Sequence, residues 1–147
     1  MVVRGLSVLR KLRRATLPTL LSLCLGTASG VVRAQDPGVL PTGGHVAAGA
    51  VAIHQTGNTM TVDQSSQRAV VDWNTYNVGA NAQVNYNQPN ANAVILNRVT
   101  SATPTQIDGA INANGRVIIS NSNGVTFGKG AEVNAGAVVA TTMNQSD

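Results

Sequence analysis

Between residues 59 and 63 apolar and polar side chains alternate, with Met60 and Val62 against Thr59, Thr61 and Asp63. Residues 83–87 repeat the pattern, setting Val84 and Tyr86 against Gln83, Asn85 and Asn87, and residues 68–73 put Ala69, Val71 and Trp73 on one side. A period of two is that of a strand with one buried face. Residues 93–96 and 117–119 are unbroken apolar runs, which predicts short strands covered on both faces. Gly43-Gly44, Gly57-Asn58, Val78-Gly79, Asn114-Gly115 and Asn123-Gly124 punctuate these runs as turns. Beyond residue 34 no stretch of ten or more residues carries a helical stripe, and Pro89 and Pro104 interrupt the nearest candidates. The pattern predicts an all-β chain.

Composition narrows the architecture. After residue 34 there are 15 Val, 6 Ile and 11 Thr, the branched residues that suit a pleated surface, with only two Leu. Fifteen Asn in the same stretch favour tight corners. Short strands at this spacing fit a sandwich, a barrel or a solenoid. Four aromatics (Trp73, Tyr76, Tyr86 and Phe127) are few for a sandwich core, whereas Val, Ile and Ala suit a narrow stack of rungs. A strand, Asn/Gly corner, strand order is what a parallel β-helix requires, with inward Asn side chains forming ladders between rungs. At about 20–25 residues per coil, the chain holds about four or five coils, although no fixed repeat is visible.

Charge divides the 147 residues in two. Six of the ten Lys and Arg (Arg4, Arg10, Lys11, Arg13, Arg14 and Arg33) lie in the first 34 residues, which hold no acid and eight Leu. The rest sets Arg68, Arg98, Arg116 and Lys129 against Asp36, Asp63, Asp72, Asp108, Glu132 and Asp147. The formal charge of +4 therefore belongs to the leader, and no nucleic-acid partner is expected. A basic start, an apolar centre at residues 17–25 and Val32-Arg33-Ala34 have the layout of a secretory signal peptide. Residues 1–34 are expected to be that peptide, cleaved near Ala34, with export to the periplasm and beyond. The competing reading, a membrane anchor, is weakened by Pro18, five Ser/Thr and two Gly in the uncharged run. Cys24, the one cysteine, lies inside this segment, and Leu23 before it is not the small residue of a lipidation site. Disulfides and thiolate metal sites are thus excluded after processing.

From residue 40 onward the chain carries recognisable blocks. They are Leu40-Pro41-Thr42-Gly43-Gly44, Gly57-Asn58-Thr59-Met60-Thr61-Val62, Ser66 through Trp73, Asn77-Val78-Gly79, Val84 through Pro89, Ile95-Leu96-Asn97-Arg98-Val99, residues 107–115, Asn121-Ser122-Asn123-Gly124-Val125-Thr126-Phe127-Gly128 and residues 131–140. In this order they resemble the two-partner secretion domain that heads filamentous haemagglutinin-like exoproteins. That resemblance implies a right-handed parallel β-helix with an N-terminal β cap over residues 35–147. It also implies a secretion signal rather than an enzyme, presented to an outer-membrane β-barrel transporter with periplasmic POTRA domains. The chain would head an adhesin, haemolysin or contact-dependent toxin at the bacterial cell surface, with host cells or glycans met by later parts. Asn121, Asn123 and Gly124 correspond to the family's secretion motif, and Trp73, Asn97, Arg98 and Phe127 are candidate structural residues. Two departures stand out. Ser122 occupies the place of a family proline, which forgoes about 0.4–1 kcal/mol of preorganisation. The family domain is also about twice as long, so residues 35–147 are expected to be its N-terminal part only, truncated after a strand at residues 137–142.

Site chemistry other than this is poorly supported. Asp63, Asp72, Asp108 and Glu132 show no spacing that converges on a cleft for acid–base work. His45 and His54 have no Asp, Glu or Cys at ligand spacing, so no metal is expected. Residues 124–130 hold G-x-x-x-G-x-G without the following Lys-Ser/Thr of a phosphate loop, and no cofactor is expected. The rival reading is a stand-alone secreted β-solenoid that binds or cleaves polysaccharides.

Overall fold

The structure is a computed structural model and describes residues 34–143; the segment expected to be a signal peptide, with Cys24, lies outside the described residues. The described residues form twelve strands and no helix. They are β1 His45–Ala48, β2 Val51–Thr56, β3 Thr59–Gln64, β4 Arg68–Trp73, β5 Gln83–Asn87 and β6 Val94–Val99, followed by β7 Thr105–Ile107, β8 Ala110–Ala113, β9 Arg116–Ser120, β10 Val125–Phe127, β11 Glu132–Asn134 and β12 Ala137–Thr141. The three alternating segments named above are β3, β5 and β4.

The strands stack into a parallel β-solenoid of about four turns. One sheet runs β1-β4-β6-β9-β12, a second runs β11-β8-β5-β3-β2, and β7 pairs with β10 on a third, shorter face. From β3 and β4 onward every pairing is parallel, as expected when each coil lays its strands on those of the coil before. Asn87 bonds Asp63, 24 positions back, Asn112 bonds Asn85 at 27, and Asn134 bonds Asn112 at 22. Corner loops of unequal length thus erase any fixed period while the strands remain in register.

The first coil is closed by antiparallel strands: β1 lies on β4 and β2 on β3. Residues 37–42 close the third face, where Gly79 N–H donates to the Val39 carbonyl at 2.9 Å and Thr42 N–H to that of Thr75 at 2.9 Å. Leu40, within this segment, is buried. Corners stack tightly; a Cβ on Gly109 would lie 2.1 Å from the Gly79 carbonyl oxygen, a distance no side chain tolerates.

Inside, side chains form columns across the rungs. Met60, Val84 and Ile111 are in register on one sheet, and Ala69, Ile95 and Val117 on the other, all buried. Each such side chain removes apolar area from water at about 25 cal/mol per Å². Two expectations are corrected here. Leu96 and Ile118 face outward and are partly exposed, so β6 and β9 are covered on one face only. The Asn ladder exists but runs along the outside: Asn112 Nδ2 donates to Asn85 Oδ1 at 2.8 Å and Asn134 Nδ2 to Asn112 Oδ1 at 3.2 Å, at positions partly or fully exposed. Outward placement lets water satisfy the amide groups the ladder leaves over.

Candidate functional site

The corner between β9 and β10 is built by Asn121. The Gly124 N–H donates to the Asn121 carbonyl at 3.0 Å, closing a four-residue turn, and the Asn123 N–H donates to Asn121 Oδ1 at 2.9 Å. Side chain and backbone of one Asn therefore hold the turn together. Ser122 occupies the first central position, where the turn closes without proline. Gly124 has φ of 112°, a conformation that disfavours any side chain, although a Cβ there would meet only Pro104 Cβ, at an ordinary 3.8 Å.

Both Asn side chains also reach the coil below. Asn121, buried, donates from Nδ2 to the Thr103 carbonyl at 3.1 Å and to Thr105 Oγ1 at 2.9 Å. Asn123, exposed, donates from Nδ2 to the Ser101 carbonyl at 2.8 Å. Thr105 N–H returns a bond to the Gly124 carbonyl at 2.9 Å, and Asn121 N–H donates upward to that of Thr141 at 3.0 Å. One corner thus clamps three successive coils.

A shallow hollow opens beside this corner, lined by Asp72, Arg98, Thr100, Ser101, Ser122 and Asn123 among others. Arg98 grips Asp72 with two bonds, Nε to Oδ1 at 2.6 Å and Nη2 to Oδ2 at 3.0 Å, across β4 and β6. A two-point guanidinium–carboxylate pair fixes geometry as well as adding energy.

Directly behind that pair, facing inward, lies a polar network. Asn97 is 0% exposed, and its Oδ1 accepts from Trp73 Nε1 at 2.9 Å and from the Tyr86 hydroxyl at 3.2 Å. Its Nδ2 donates to the Ile118 carbonyl at 3.2 Å. The Tyr76 and Tyr86 hydroxyls bond each other. Because Tyr86 commits its proton to Asn97, Tyr76 is the donor in that pair. Trp73 and Tyr76 pack edge to face with centroids 5.7 Å apart. The network joins the first coil to the second and, through Ile118, to the third.

Burial raises the Tyr76 pKa well above the usual phenol value, opposed by its bond with Tyr86. Burial raises Tyr86 as well, reinforced by the charge of and the bond from Tyr76 and opposed by Asn97. Folded phenols therefore stay neutral where the unfolded chain ionises, near pH 10. The associated stability is intact below about pH 10 and falls above it. Since these are the chain's two tyrosines, tyrosinate absorbance should appear only together with loss of circular dichroism on raising the pH. A titration near pH 10 with the fold unchanged would contradict the network.

Six of the seven residues singled out from sequence, all but Phe127, cluster around this part of the solenoid. Phe127 sits on β10, in register with Ile107 and 41% exposed. Sequence reasoning missed Tyr86 as a partner of Asn97 and Tyr76 as a partner of Tyr86, and it missed the buried pair in which Gln88 Nε2 donates to Gln64 Oε1 at 3.0 Å. Gln64 was findable, since it continues the inward alternation of Met60 and Val62. Of the residues weighed for other chemistry, Asp63 accepts from Asn87 and lies 3.9 Å from the exposed His54 ring, and Asp108 accepts from Gln106. Among the described residues no three His, Cys, Asp or Glu side chains are grouped to hold a metal.

The family model for the TPS secretion domain matches residues 38–147. A heme/hemopexin-binding protein of Haemophilus influenzae (strain ATCC 51907 / DSM 11121 / KW20 / Rd) is 39% identical over 126 residues, covering 86% of this chain and 14% of that protein. A second heme/hemopexin-binding protein of Haemophilus influenzae is 38% identical over 123 residues, covering 83% and 13%. The crystal structure of the HMW1 secretion domain from Haemophilus influenzae matches with a TM-score of 0.69 at 33% identity, over 73% of this chain and 28% of that one.

Proposed function

Because this chain belongs to the family of TPS secretion domains of two-partner-secreted exoproteins, we propose that it is the non-enzymatic head that brings such an exoprotein to its outer-membrane transporter. The observation that carries this is the family match over residues 38–147, which takes in all but the first four of the described residues. In this reading residues 1–34 direct passage to the periplasm and are removed. A POTRA-bearing β-barrel then recognises the chain, which folds outside the cell by laying each coil on the last.

The physical character of the domain supports that route. No cysteine follows residue 24, so the chain crosses an oxidising compartment without cross-links. Each coil contacts its neighbours, so folding propagates from one end, as in other solenoids. The antiparallel cap of β1 and β2 and the Asn97 network make the first coils the natural nucleus. Asn121, Asn123 and Gly124 are the residues we assign to the secretion motif.

The chain spans 14% of the length of its first relative, and heads of this type occur both in proteins named for heme and hemopexin binding and in HMW1. The passenger's activity, whether adhesin, haemolysin, toxin or the haem-related binding of those relatives, is therefore assigned to the exoprotein as a whole. Disrupting the transporter gene is expected to leave the processed chain inside the cell envelope. Release at the wild-type level would refute the proposal.

A further inference from the structure

The two large sheets present unlike outer surfaces. On the β11-β8-β5-β3-β2 sheet the strands hold Asp63 and Glu132 and no Lys or Arg, and the Asn85–Asn112–Asn134 ladder runs across them. On the β1-β4-β6-β9-β12 sheet the outward positions include Arg68, Arg98 and Arg116, three of the four basic residues after residue 34. The acid on that face, Asp72, is already held by Arg98.

Between these charges runs an apolar column. Val70, Leu96, Ile118 and Val139 are in register on successive strands. The first three are partly exposed and Val139 is 51% exposed. With strands about 4.8 Å apart, the column is about 14 Å long. In the adjoining column Arg68 and Arg116 flank Val94, in register and about 10 Å apart. Both are exposed, and the shorter Val94 leaves shallow hollows between them and the apolar column.

We propose that this face docks a protein segment that carries aliphatic side chains beside carboxylates. The aliphatic groups lie along Val70, Leu96 and Ile118, and the carboxylates meet Arg68 and Arg116. The charge excess selects this occupant. Two copies of the face would bring arginines against arginines, which disfavours self-pairing. A lipid surface is a poorer fit, because the aliphatic side chains are half-sunk in a flat sheet and no aromatic projects from it. The inference goes beyond the proposed secretion role and does not depend on it.

The test uses the purified chain and a fluorescent synthetic peptide of alternating leucine and glutamate, with binding read by anisotropy. Saturable binding that weakens with salt is expected. Combined Arg68→Glu and Arg116→Glu, or Leu96→Ser alone, should each weaken it about tenfold or more, since oppositely charged and apolar contacts are both lost. Asn112→Ala on the opposite sheet should not change it, and a leucine–lysine peptide should not bind. Combined Arg68→Lys and Arg116→Lys should retain binding, which keeps the test valid if the charge reversal unfolds the chain. Failure of the leucine–glutamate peptide to bind, equal binding of the lysine peptide, or indifference to Leu96→Ser would each overturn the proposal. So would a dimer in sedimentation that Leu96→Ser dissolves, which assigns the face to a second copy. Binding to phosphatidylglycerol vesicles abolished by charge reversal would overturn it in favour of a membrane surface.

Discussion

Asn97→Ala should be the most damaging single side-chain truncation in the solenoid, lowering the thermal midpoint by about 12–20 °C. The variant strips the acceptor from Trp73 Nε1 and from the Tyr86 hydroxyl, both buried. Each donor left dry costs about 1–3 kcal/mol, and the space vacated by the amide adds a cavity term. A total of about 3–5 kcal/mol at about 4 °C per kcal/mol for a domain near 100 residues gives the expected shift. Asn112→Ala is the matched control. It breaks the outer ladder, where water replaces the lost bonds, and should cost about 0.5 kcal/mol or less. Circular dichroism reads both variants, and the fluorescence of Trp73, the chain's one tryptophan, reports locally on the first. Equal losses for the two variants would mean that the buried network does not join the coils.

The second large effect concerns the corner at 121–124, where two asparagines two positions apart should behave differently. Asn121→Ala removes one buried and one part-buried bond to the coil below and the bond that holds Asn123 N–H. A cost of about 2–4 kcal/mol follows, and secretion should fall along with stability. Asn123→Ala removes one bond from an exposed side chain to the Ser101 carbonyl, for about 0.5–1 kcal/mol. Its refolding in vitro should therefore be close to normal. If Asn123 is read during export, the secreted yield should still fall severalfold. Normal secretion of Asn123→Ala would reduce the motif to architecture, with Asn121 as its one essential amide.

Much of the fold was legible because a strand with one buried face writes its orientation into alternation. Met60 and Val62, Ala69 and Val71, and Val84 and Tyr86 point inward as that rule requires. The same rule failed at β6 and β9. Val94, Leu96 and Ile118 are apolar without being covered, and composition alone cannot distinguish a second buried face from an exposed apolar one. The antiparallel direction of β2 was available in the two-residue Gly57-Asn58 connection to β3, which only an antiparallel pair can use; that of β1 was not, since reversing a strand leaves its alternation of faces unchanged. β7 and β10 are three residues each, too short for periodicity to speak.

The site was half legible. The motif resemblance led to Asn121, Asn123 and Gly124, and those residues do form one turn. Their reach into the preceding coil depends on which corners stack, which spacings of 24, 27 and 22 residues conceal. Tyr76 lies in the irregular stretch after β4, where no alternation assigns it to the interior, so its bond to Tyr86 could not be anticipated. Asn97 stood in a recognised block, yet its inward direction follows only from its place between Leu96 and Arg98 on β6.

The role proposed for this domain is that of an export signal read by a dedicated outer-membrane partner. Its most direct test is the distribution of the processed chain between periplasm and medium, in otherwise identical cells with and without a cognate POTRA-bearing barrel. Folded, protease-resistant chain is expected in the medium only when the barrel is present, and chain held in the periplasm when it is absent. Equal release in both strains would contradict it.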